Sequence, residues 1–87
     1  MFKNIMKLSK AEKIMALLNQ WDPDGRYKNG AGAYAYSYEG ETIAQHIRKN
    51  SKKETVEKSI LDTFSDLNLD DSEVRQMAEY IMSAVIG

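Results

Sequence analysis

Apolar residues recur at three- and four-residue steps in separate stretches of this chain, and that spacing fits helices rather than strands. Ala11, Ile14, Met15, Leu18 and Trp21 fall on one face of a first helix. Val56, Ile60, Leu61, Phe64 and Leu67 do the same further on, and Val74, Met77, Ala78, Ile81, Met82 and Val85 make the cleanest stripe. A shorter reading over 39–49 puts Ile43, Ala44 and Ile47 together, with Arg48 and Lys49 at the carboxyl end, where cations suit the helix dipole. The pattern predicts an all-α fold, a small bundle of about four short helices.

The boundaries have their own chemistry. Ser9-Lys10-Ala11-Glu12 has the S-x-x-E spacing in which a hydroxyl and a carboxylate each satisfy a helix-start amide, and Ser51-Lys52-Lys53-Glu54 repeats it. Glu54 and Lys58 stand four apart as a helix-surface pair. Asn68 is suited to closing the third helix in the left-handed conformation, and Asp70 or Asp71 to opening the last.

Asp22-Pro23 ends the first helix, because proline donates no amide and pushes its predecessor out of helical angles. A long Gly/Tyr-rich loop, residues 22–37, then joins the first and second helices; Gly25, Gly30 and Gly32 punctuate it. Loops beyond about twelve residues are packed by their own side chains or carry function. Tyr34, Tyr36 and Tyr38 alternate, but one short strand has no partner, so extended coil is expected there. Gly40 weakens the first turn of the second helix.

A length of 87 residues, 43% hydrophobic and 29% charged, suits one domain over 1–87 with a small core. With no cysteine there is no disulfide framework and no thiol catalysis, and a metal would have only His46 and carboxylates as ligands, so no metal or cofactor is expected. Lys3 and Lys7 interrupt the apolar residues Phe2, Ile5, Met6 and Leu8 before a signal core or a membrane span forms; the expected address is the cytoplasm, without membrane attachment. The net charge of −1 hides an imbalance. Residues 1–53 hold ten Lys/Arg and five Asp/Glu, residues 54–87 two and eight, which predicts charge matching within the molecule or between copies.

No catalytic constellation emerges. His46 is the one side chain that titrates near neutrality, yet nothing accompanies it at recognisable spacing. Glu39 and Glu41, two apart on a helix, point to different faces. Gly25 to Gly32 lacks the order of a phosphate-binding loop. Arg26, Lys28, Arg48, Lys49, Lys52 and Lys53 could form a basic strip for nucleic acid. The binding candidates are Trp21, Tyr27, Tyr34, Tyr36 and Tyr38, since aromatics with a polar tip favour interfaces. Asp22 is placed to accept amide hydrogen bonds from the turn that Pro23 begins.

Trp21-Asp22-Pro23, followed by Tyr36, Glu39 and Ile43, resembles the YugE-like family of small bacterial proteins with no assigned function. Members end a first helix in Trp-Asp-Pro, cross a variable loop, then show a Tyr, a Glu three later and an Ile four after that. The likeness runs from about Ile14 to Ile86 and implies an all-α fold without bringing catalytic residues. The loop here is richer in glycine and tyrosine than the family pattern, and Gly40 departs from it. The function expected is a non-enzymatic domain that binds a protein partner or a second copy. Nucleic-acid binding and an immunity or antitoxin-like role are the alternatives.

Overall fold

Ser9 opens the first helix as its spacing to Glu12 requires: its hydroxyl accepts the Glu12 amide at 3.1 Å while the Glu12 carboxylate accepts the Ser9 amide at 2.8 Å. The computed structural model describes residues 8–86, which are all-α with no strand. Helix α1 spans Lys10–Trp21, α2 Ser37–Gln45, α3 Lys53–Thr63 and α4 Asp71–Val85. Asp70 caps α4 by accepting the Glu73 amide at 3.1 Å.

Each helix packs against two others, α1 and α3 both contacting α2 and α4. The ends are tied by side chains. The Lys10 ammonium donates to the Ile47 carbonyl at 2.7 Å just past α2, and the Trp21 indole donates to Glu73 at 3.1 Å at the start of α4. The apolar stripes meet inside: Ile14 and Leu18 from α1, Ile43 and Ala44 from α2, Val56 and Ile60 from α3, and Val74, Met77, Ala78 and Ile81 from α4 are buried. Tyr36, Ile47 and Phe64, beside the helix ends, complete the core.

Several local expectations are corrected. Helix α2 begins at Ser37 rather than 39 and stops at Gln45, so Arg48 and Lys49 lie in the connection beyond it, where the Lys10 ammonium bonds the Ile47 carbonyl. Gly40 is buried where α2 crosses α1, and a Cβ there would stand 3.1 Å from the Ala11 carbonyl oxygen. The glycine that looked like a weakness is what lets two backbones approach.

Ser51 does not cap α3. Its hydroxyl accepts the Arg48 amide at 2.8 Å, and Lys52 occupies the cap position without a side-chain bond. Helix α3 ends before Leu67, and Asn68 is not left-handed: Asp22, at φ 53°, is the one non-glycine residue with positive φ among those described. Lys58 pairs with Asp62 at 3.3 Å, not with Glu54. Across the basic and acidic halves, Lys53–Glu79 at 2.8 Å is the one ion pair among the described residues. Phe2, Ile5 and Met6 lie outside the described residues. No helix among those described is long and apolar enough to cross a membrane.

Candidate functional site

The segment between α1 and α2 is held in place by Asp22. At φ 53° it takes the left-handed conformation that aspartate tolerates better than most residues. Its carboxylate accepts three hydrogen bonds, from the Tyr27 amide and the Lys28 amide at 3.0 Å each and from the Tyr36 hydroxyl at 2.6 Å. The expected role of Asp22 as an acceptor from the turn is met, with a side chain fourteen residues away added to it.

Tyr36 is the second fixed point. Its ring is fully buried, edge-on to Phe64 at 6.0 Å between centroids, while its hydroxyl accepts the Asp24 amide at 3.0 Å. Phe64 meets Trp21 edge-on at 6.2 Å, so the end of α1, the start of α2 and the residue after α3 share one aromatic cluster. The tyrosine segment is therefore no extended coil: Tyr36 leads straight into α2.

Arg26 closes the brace. Its guanidinium pairs with Asp24 and Glu39 at 2.9 Å each, donates to the Ala35 carbonyl at 3.1 Å and lies 5.0 Å from the centre of the Tyr36 ring. Glu39 is buried and Glu41 exposed, as their spacing requires. Between these anchors Tyr27–Ala31 forms a single π turn, with Ala31 donating to the Arg26 carbonyl at 3.0 Å. Gly30 at φ 99° fits it because no side chain tolerates that conformation well. Asn19 of α1 donates to the Ala33 carbonyl at 2.8 Å.

The brace sorts the tyrosines. Tyr36 is structural and unavailable to a partner, and Trp21 is half-buried with its indole bonded to Glu73. Tyr34 and Tyr38 are 76% and 74% exposed, and Tyr27 47%. Tyr34 borders a recess of about 370 Å³ with Ser9, Glu12, Met15, Ser37 and Glu41, where the starts of α1 and α2 meet. Of the six cations of the expected strip, Arg26 is committed to the brace and Lys53 to Glu79, while Lys28, Arg48, Lys49 and Lys52 are exposed.

His46 is exposed, and its Nδ1 donates to the Thr42 carbonyl at 2.8 Å, which fixes the tautomer if the ring is neutral. It borders a recess of about 140 Å³ with Thr42, Ser59, Asp62 and Thr63, but Asp62 is turned to Lys58. The sequence reading missed Arg26–Glu39, the Phe64 contacts and the use of Gly40. All three join parts of the chain that no local spacing connects.

The brace contributes to the pH response, together with the ends of α3 and α4. The Tyr36 hydroxyl, then the Lys28 and Tyr27 amides, hold the Asp22 carboxyl below the usual range, while burial, then the bond to Asp22, pushes the Tyr36 phenol up. Ser72 and the Glu73 amide lower Asp70, and Lys53 lowers Glu79. A depressed carboxyl stabilises the fold above its unfolded pKa, and that contribution disappears as pH falls through the folded value, so stability declines below about pH 4. A raised phenol works the other way, its contribution being lost as pH climbs past about 10. Urea midpoints against pH should show both arms, and the alkaline arm should shrink in Tyr36→Phe. An unchanged alkaline arm would assign it to another group.

Compared with protein-family models, curated proteins and solved structures, the chain matches none.

Proposed function

We propose that this protein binds another protein through Tyr27 and Tyr34, displayed on the loop that Asp22, Arg26 and Tyr36 hold in place, together with Tyr38 in the first turn of α2. The observation that carries the reading is exposure on a tethered backbone. Tyr34 and Tyr38 are about three-quarters exposed although the residues between and around them are hydrogen-bonded or buried. Large rings on a backbone that is already ordered lose less freedom on binding, so the ordering cost set against the area they bury is smaller. In this reading the protein is non-enzymatic, needs no cofactor and works in the cytoplasm.

We also propose kinship with the YugE-like family, which rests on the sequence resemblance alone. Trp21, Asp22, Tyr36, Glu39 and Ile43, the residues that carry the resemblance, are the ones that end α1, hold the loop and fill the core beside it.

Tyr34→Ser/Tyr38→Ser tests the reading, because neither ring contributes to the buried core. Affinity capture from the native cytosol, quantified by mass spectrometry, should lose its specific partner by about tenfold or more, as expected for aromatic interface anchors. Helicity and thermal midpoint should stay at parental values. Unchanged capture would remove the loop from the function.

A further inference from the structure

The two connections flanking α3 carry opposite charge. From His46 to Lys53 the chain holds Arg48, Lys49, Lys52 and Lys53 and no acid; from Ser59 to Val74 it holds Asp62, Asp66, Asp70, Asp71 and Glu73 and no base. The eleven residues of α3 place these clusters roughly 16 Å apart, about twice the screening length at physiological salt. At that distance they form no contact pairs with each other within one molecule.

Internal partners use up part of each cluster. Lys53 is taken by Glu79, Asp62 by Lys58, Asp70 by the start of α4 and Glu73 by Trp21. Arg48, Lys49 and Lys52 at one end, and Asp66 and Asp71 at the other, are exposed and make no ion pair among the described residues. Leu61, on α3 between the two ends, is 44% exposed. A net charge of −1 leaves almost no long-range repulsion between copies.

We propose that a second copy of this chain docks side by side with α3 antiparallel, the basic connection of each copy resting on the acidic connection of the other. A two-fold arrangement satisfies both ends at once and brings the α3 faces that carry Leu61 together, whereas docking at one end alone would leave a basic and an acidic cluster open at the tips. Charge matching of this kind selects partner and register more than it adds affinity, so the dimer is salt-sensitive. The arrangement uses none of the exposed tyrosines and stands independently of the proposed partner surface.

The test is charge exchange followed by sedimentation velocity. The wild type at about 10 mM salt should approach twice the chain mass of 9.9 kDa, and its dissociation constant should rise at least about tenfold by 0.3 M. Arg48→Glu/Lys49→Glu/Lys52→Glu and Asp66→Lys/Asp71→Lys should each be monomeric alone, folded by circular dichroism, and associate one-to-one when mixed. A wild type that stays monomeric at low salt overturns the proposal, including one that instead binds oligothymidine through its basic connection. So do species larger than a dimer, or variants that fail to rescue each other.

Discussion

Tyr36→Ala is expected to lose about 3–5 kcal/mol, the range for removing a large aromatic from a well-packed core. For a chain of this length total stability is roughly 4–13 kcal/mol, so the variant should melt at least about 10 °C lower and sit close to unfolding. Two losses combine. The ring leaves a hole against Phe64, and the hydroxyl no longer joins the Asp22 carboxylate to the Asp24 amide. Tyr36→Phe separates them, because it keeps the ring and should cost only about 1–2 kcal/mol. In that variant the amides of Asp24, Tyr27 and Lys28 should lose more protection from hydrogen exchange than the α4 amides, which report only the loss of global stability. A Tyr36→Ala protein melting within about 3 °C of the parent would show that the loop is held by something other than this brace.

Tyr36 also shows where the sequence was legible and where it was not. The alternation of Tyr34, Tyr36 and Tyr38 is real in its exposure, out, in, out, although the backbone is a turn entering a helix and not a strand. Periodicity of side chains survived while the element it implies did not, because a period of two over three aromatics cannot tell a strand from a bend that happens to alternate. Ser9 and Asp70 were readable as caps because the donor and acceptor lie three residues apart. Ser51 failed the same rule: Arg48, on its other side, supplies an amide at the same spacing, and the hydroxyl serves the turn before α3 instead.

The candidate site divides along the same line. Asp22 could be assigned from the turn that follows it, whereas which of the tyrosines is buried could not be read from their spacing. Arg26, which local reading places with Lys28 as a free cation, is bound to Glu39 thirteen residues on, and Trp21 is bonded to Glu73 from the far end of the chain. Pairings of that length depend on how α1, α2 and α4 cross, which is decided by the whole core and not by any window of sequence.

The crossing of α1 and α2 turns on Gly40, and Gly40→Val is expected to cost about 2–3 kcal/mol by overpacking. A Cβ at this position meets the Ala11 carbonyl oxygen at 3.1 Å and the Met15 Cβ and amide nitrogen at 3.3 Å. Two of those three atoms are backbone, so no side chain can swing aside to make room. Valine adds two methyl groups to that contact and a β-branch that helices disfavour; α2 must then lift from α1, carrying with it the Lys10 bond to the Ile47 carbonyl. Alanine is the discriminating control. It gains about 1 kcal/mol of helix propensity over glycine, so a protein that used Gly40 only as a tolerated weakness would become more stable with Gly40→Ala. The close approach predicts that this gain is cancelled or reversed. Urea unfolding of both variants, followed by Trp21 fluorescence, decides it: a stabilised Gly40→Ala beside an unperturbed Gly40→Val would mean that α1 and α2 do not need to come so near.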